Sequence, residues 1–170
     1  VIARIRALFN KEQPKEEPLD LNHLIRHVLD LSRGSIERNR VLVRTQLAEP
    51  AAPVMADPVQ LQQVLINLTL NALDAVSASP SDREAAITTA RNNGEVEVHI
   101  SDTGPGLSSA VQQRLFEPFF STKPHGLGMG LTIVRSIVER HQGTLHAENR
   151  SVGGAVFRVT LPAGEASSTS

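Results

Sequence analysis

The 170-residue chain contains no cysteine, no tryptophan and no tyrosine. Without cysteine it has no disulfide, no thiolate metal site and no sulfur nucleophile, a composition that a reducing compartment tolerates and does not require. Aromatics make up 3% of the residues, all five being Phe, too few for the exposed stacking platforms that hold single-stranded nucleic acid. An excess of charge is also missing: 17 Lys plus Arg against 18 Asp plus Glu give a formal net charge of -1, so no field of the whole chain draws it to nucleic acid or to anionic lipid. No stretch approaches the roughly 18 uncharged apolar residues of a membrane span. What is present, 40% apolar and 21% charged residues, is the composition of one globular domain, at a length where domains hold about 100–200 residues.

The first residues, V-I-A-R-I-R-A-L-F, place Ile2, Ile5 and Leu8 or Phe9 at helical spacing and lack the cationic, apolar, small-residue order of a secretory leader. Residues 1–10 are therefore read as the end of a helix, and K-E-Q-P-K-E-E-P at 11–18, broken twice by Pro, as a linker. A domain over 19–163 and a Ser-rich tail over 164–170 follow. Within the domain the spacing predicts a helix capped by Asp20, with a stripe of Leu21, Leu24, Ile25, Val28 and Leu29. It then predicts a strand near 41–47, the short segment V-M-A-D and a long helix over 58–78. Strands at 85–91 and 95–101 flank N-N-G, the signature of a hairpin. A short helix near 108–116, a glycine-rich loop, a helix near 129–142 and strands at 144–149 and 154–161 complete the chain. Hairpins interspersed with helices imply an α+β two-layer sandwich and not a doubly wound parallel sheet.

On the long helix, Leu61, Val64, Leu65, Leu68, Ala72 and Val76 form the main apolar face, and Ile66, Leu70 and Leu73 a second strip that also calls for burial. Between them runs a polar seam of Gln60, Gln63, Asn67, Asn71 and Asp74. Asn67 and Asn71 are one turn apart, so their amides point the same way. Asn costs about 0.7 kcal/mol relative to Ala inside a helix. A solvent-facing stripe and a ligand site are equally compatible with this helix alone. Amide oxygens are hard donors suited to Mg²⁺, which is held by one or two protein groups together with phosphates and water.

The strand E-V-E-V-H-I-S-D alternates without error, Val96, Val98 and Ile100 on one face and Glu95, Glu97, His99 and Ser101 on the other. Parity sends Asp102 to the apolar face, where a carboxylate must meet donors from its own turn or from a ligand. The T-G-P-G that follows presents backbone with little side-chain bulk, open to a flat group. Further on, G-L-G-M-G at 126–130 runs into a helix with the stripe Leu131, Val134, Ile137 and Val138. Its unpaired N–H groups and the positive end of the helix dipole favour anions. The spacing is neither a dinucleotide fingerprint nor a Walker loop. Upstream, F-E-P-F-F-S-T-K sets Phe116, Phe119 and Phe120 as anchors beside Thr122 and Lys123.

In this order, Asn-x-x-x-Asn on a helix, Asp-x-Gly-x-Gly after a strand, a Phe-rich stem and Gly-x-Gly-x-Gly opening a helix, the motifs resemble the N, G1, F and G2 boxes of the histidine kinase catalytic domain. The resemblance runs from Gln60 to His141, and the flanking elements fit the same fold. It implies the Bergerat fold, a mostly antiparallel mixed sheet covered on one face by helices, binding ATP with Mg²⁺. It implies that Asn71 coordinates Mg²⁺ and that Asp102 accepts from the adenine amino group. Gly104 and Gly106 would let adenine approach, and Gly126, Gly128 and Gly130 would supply a lid hinge and phosphate contacts. Lys123 is implied as a phosphate contact, and Asn67, Asn71 and Lys123 as the residues carrying catalysis. Asp74, Leu107, Phe119, Thr122, Leu127, Met129 and Leu131 complete the implied nucleotide-facing set.

Two positions refine what the resemblance implies. The hydrolysing relatives, such as gyrase and the mismatch-repair ATPases, carry Glu one turn before the metal-binding Asn; the amide of Asn67 cannot serve as a base, which favours transfer over hydrolysis. Asp74 stands where some kinases place a basic residue, leaving charge neutralisation to Mg²⁺ with either Lys123 or Arg114. No His followed by an acidic residue is present: His23 precedes Leu and His27 precedes Val, on the polar face of the first helix. The implied acceptor is therefore a His on a dimerisation domain of the same protein, the implied parent a homodimer, and the implied next partner a response regulator. The implied location is cytoplasmic, whether or not the parent is membrane-anchored, with no membrane contact by this segment. A nucleotide-gated interaction module and an anti-sigma-type protein serine kinase stay open as alternatives.

Overall fold

Residues 14–50, 53–80, 82–117 and 130–164 are described by the structure, a computed structural model. The described elements run β1 (Glu17–Asp20), α1 (Leu21–Leu31), α2 (Arg33–Arg38), β2 (Leu42–Gln46), β3 (Pro53–Ala56), α3 (Pro58–Ser77), β4 (Glu84–Asn92), β5 (Glu95–Asp102), α4 (Ser109–Arg114), α5 (Gly130–Arg140), β6 (Thr144–Asn149) and β7 (Ala155–Pro162). Five strands form one sheet in the order β2-β4-β5-β7-β6. Only β2 and β4 pair parallel; the other three pairs are antiparallel. β1 and β3 form a separate antiparallel pair.

Alternation explains which face of the sheet is covered. Val96, Val98 and Ile100 of β5 are buried, as are Phe157, Val159 and Leu161 of β7, while the intervening residues are not. Onto this apolar face pack α3 and α5, and α1 packs on α3. Leu61, Val64, Leu65, Leu68, Leu73 and Val76 of α3 are all at most 2% exposed; each such side chain contributes about 1.5–3 kcal/mol through its burial. The second apolar strip does not follow as a whole: Leu73 is buried, but Leu70 is 37% exposed. The cause is a one-sided environment, with sheet and helices meeting α3 along a single broad face and leaving Leu70 at its margin.

Local chemistry sets the element boundaries. Asp57 caps α3, its Oδ1 accepting from Val59 N (3.0 Å) and Gln60 N (3.3 Å), and Pro58 occupies the first turn, where no donor is needed. Asp20 caps α1 through His23 N (3.1 Å), and Ser108 caps α4 through Val111 N (3.2 Å). Asn93 and Gly94 turn the β4–β5 hairpin with φ of 48° and 79°, the left-handed values a two-residue loop requires. Two elements exceed the sequence expectation. Glu17 and Pro18, read as linker, lie in β1, where backbone pairing to Ala56 and Met55 asks nothing of their side chains. The turn α2 follows α1 directly, tied by Ile36 N to Ser32 O (3.0 Å).

Candidate functional site

Asp102 ends β5 on the covered face, as parity requires, and is 2% exposed. Its Oδ1 accepts from Gly104 N (2.8 Å) and from Ala155 N (3.4 Å); Oδ2 receives no bond from the described residues. The carboxylate thus makes its own turn and keeps half of its acceptor capacity. Burial pushes the Asp102 carboxyl above the ordinary carboxylate range, against the lowering influence of the two N–H groups and of the Arg150 guanidinium. Oδ2 is not sealed in: among the described residues only Gln60 Oε1 and Thr69 Oγ1 are fully buried without a partner, so Oδ2 stays reachable by a donor from a ligand.

The loop after Asp102 lies on α3. A Cβ on Gly104 would stand 2.8 Å from the Ala75 carbonyl oxygen and 3.0 Å from Asp102 Oδ1, so only glycine permits this approach. Ala75 is one turn beyond Asn71, about 6 Å along the helix axis. The structure therefore brings the Asp102 loop against the turn of α3 that follows the amide seam. Asn67 and Asn71 are half-buried, and neither side chain bonds to a described residue. Asp74 is exposed, at the solvent edge of the seam.

Gly106 takes a φ of +81°, which glycine alone adopts without strain, and Leu107 is partly buried against the core. Gly130 opens α5, with free space where a Cβ would stand, and Leu131 packs against the core. Phe116 also reaches the core; its carbonyl accepts from Thr132 Oγ1 (3.2 Å), and the Arg135 guanidinium lies 5.5 Å from its ring centre. These contacts hold the start of α5 to the segment after α4. Phe119, Thr122, Lys123, Gly126, Leu127, Gly128 and Met129 lie outside the described residues. A separate open hollow of about 500 Å³ lies over the paired strands β2 and β4, lined by Arg44, Thr45, Gln46, Ala86 and Thr88, and includes none of these candidates.

Sequence reasoning missed three residues that shape this region. His141 is 3% exposed, its Nδ1 donating to Ile137 O (2.8 Å) and its Nε2 accepting from Asp57 N (3.1 Å). Its position continues the Val134, Val138 stripe of α5 by one turn, which is the signal that could have found it. Asn149 and Arg150, at the end of β6, bond the Asp102 loop: Asn149 to both backbone groups of Leu107, and Arg150 Nη1 to Asp102 O (3.0 Å). No periodicity marks them, because they act from a turn. His23, His27 and His146 are exposed and His99 meets Glu97 at 3.3 Å; no cluster of metal-ligating side chains exists among the described residues.

Residues 56–165 match the profile of the histidine kinase-, DNA gyrase B- and HSP90-like ATPases. Among curated relatives, the chain is 38% identical to the C4-dicarboxylate transport sensor protein DctS of Rhodobacter capsulatus over 163 residues, 95% of this chain and 25% of that protein. It is 39% identical to the sensor protein FixL of Bradyrhizobium diazoefficiens over 165 residues, 97% of this chain and 33% of that protein. The chain thus spans a quarter to a third of these relatives. Among solved structures, the catalytic domain of histidine kinase ThkA superposes with a TM-score of 0.79 at 32% identity, over 88% of this chain and 96% of that one. Full-length ShkA in complex with AMPPNP gives a TM-score of 0.83 at 25% identity, covering 96% of this chain and 34% of that one. Sequence profile, relatives and fold agree: the chain belongs to the histidine kinase-, DNA gyrase B- and HSP90-like ATPase family and is a catalytic domain of the sensor histidine kinase type.

Proposed function

We propose that this domain binds Mg-ATP between α3, the Asp102 loop and the start of α5, and passes the γ-phosphoryl group to a histidine on a dimerisation domain of its parent protein. The observation that carries the reading is the pairing of Asp102, its Oδ2 unspent among the described residues, with a glycine loop pressed onto α3 at Ala75, one turn beyond Asn71 and two beyond Asn67, whose amides bond to no described residue. The solved relative bound to AMPPNP supports a nucleotide, and that of ThkA with the response regulator TrrA, 28% identical with a TM-score of 0.79, supports a regulator as the next partner.

The donor set fits each part of that ligand. Asp102 Oδ2 accepts from the adenine amino group, and Gly104, by its close approach to Ala75, holds the loop so that the ring edge meets that oxygen. Asn71 offers a hard amide oxygen to Mg²⁺, which when bound neutralises phosphate charge. Asn67 orients the phosphates without acting as a base, so water is not activated at this position. Lys123, Gly126 and Gly128, in the segment between α4 and α5, and Gly130, at the start of α5, hold the phosphates. The chain's contribution to transfer is positioning and electrostatic relief. In the parent protein, γ-labelled ATP should give an acid-labile phosphohistidine, and Asn71→Asp should remove the label. A label that persists in Asn71→Asp, or that is acid-stable, would contradict the proposal.

A further inference from the structure

The geometry points to Asn149 as a positioning residue that sets the base preference of the site. Its Oδ1 accepts from Leu107 N at 2.6 Å and its Nδ2 donates to Leu107 O at 2.8 Å. One side chain thereby exchanges both backbone bonds with a single residue, as a neighbouring strand would. The approach is close: a Cβ on Gly106 would stand 2.9 Å from Asn149 Oδ1. Asn149 is exposed, so burial of its side chain does not explain this double bond.

The same β6–β7 turn fixes the other end of the loop. Ala155 N donates to Asp102 Oδ1, Arg150 Nη1 donates to Asp102 O, and Gly154, at φ +84°, leaves no room for a Cβ beside that carbonyl. Residues 102–107 are thus pinned at both ends from one turn, with Pro105 restricting the middle. A site discriminates between bases when its acceptor cannot move to accommodate the wrong edge, which requires positions held to about 0.5 Å. Asn149 supplies that restraint at the Leu107 end, while touching no part of the ligand itself.

The inference rests on the reading that this loop receives adenine, and calorimetry on the 170-residue chain separates the two. Mg-ADP and Mg-IDP are compared, since IDP reverses the base's 6-edge, placing a carbonyl acceptor where adenine has its amino donor and an N1–H donor where adenine has an acceptor. Asn149→Ala should weaken ADP binding about five- to twenty-fold, the loss of one or two ordinary hydrogen bonds, and shrink the ADP-to-IDP preference at least about threefold. Asn149→Asp keeps the shape and the acceptor for Leu107 N but turns an oxygen toward Leu107 O, so it should behave like Ala. A wild-type preference that survives in either variant, or affinity lost equally for both nucleotides, would assign Asn149 to fold alone and overturn the inference. A wild-type chain that binds neither nucleotide would remove the reading beneath it and the inference together.

Discussion

Asp102 and His141 are buried to nearly the same degree, 2% and 3% exposed, and their surroundings complete them in opposite ways. Both ring nitrogens of His141 are used, one donating to Ile137 O and one accepting from Asp57 N. The ring therefore ties the end of α5 to the cap of α3 and leaves nothing for a ligand. At Asp102 both bonds converge on Oδ1, leaving Oδ2 without a partner among the described residues and the carboxyl shifted upward by burial. A saturated buried polar group is structure; a half-saturated one held rigid beside a glycine loop is a site. The two Asn of α3 fall on the unsaturated side of that division, whereas the buried Asn22, whose Nδ2 donates to Ala48 O at 2.7 Å, falls on the other.

Substitutions that exchange these characters test the division. The largest effect on stability is expected at His141→Ala, which opens a cavity and strands the Asp57 N–H, while the Ile137 carbonyl keeps its bond from the backbone N–H of residue 141; about 2–4 kcal/mol should be lost in urea unfolding. Nucleotide affinity in the fraction that stays folded should change by less than about threefold, within the range of ordinary contacts. Gly104→Ala should act the other way round. Its new methyl meets backbone at Ala75 that cannot yield, an overpacking of about 1–3 kcal/mol, and Mg-ADP affinity should fall about tenfold or more as the loop shifts. Asp57→Ala removes the α3 cap and the acceptor for Lys15 N, costing about 1–2 kcal/mol, while Asp57→Asn should recover most of it, because an amide oxygen also caps.

A smaller effect follows from protonation. Because the folded state raises the Asp102 pKa, it holds that proton more tightly than the unfolded chain does. The contribution of Asp102 to stability is then fully present below the ordinary carboxylate range and is lost as pH rises through the raised value. Asp102→Asn should flatten that part of the stability profile measured by urea unfolding across pH.

Much of this was legible before any coordinates. Strand parity alone placed Asp102 on the covered face, the 3.6-residue period gave the amide seam of α3, and Asp20 and Asn93–Gly94 followed from cap and turn chemistry. What escaped has a common physical character. β1 is held by backbone pairing, which leaves no side-chain signature in Glu17 and Pro18. Asn149 and Arg150 act across more than 40 residues of chain from an irregular turn. His141 continued an apolar stripe, but which residue it would bond depended on where α3 begins. Leu70 shares a periodic strip with buried Leu73 yet lies exposed, because periodicity reports which residues share a face and is silent on how far a neighbour extends.

If the spare oxygen of Asp102 recognises an amino group on a base, calorimetry with Mg-ADP and Mg-IDP will separate the two nucleotides. The wild-type chain should prefer ADP by about 10- to 100-fold, the worth of one hydrogen bond to a charged group. In Asp102→Asn, whose amide can donate where the carboxylate could only accept, that preference should collapse or invert. Equal wild-type affinity for the two nucleotides, or a preference unchanged in Asp102→Asn, would contradict the account.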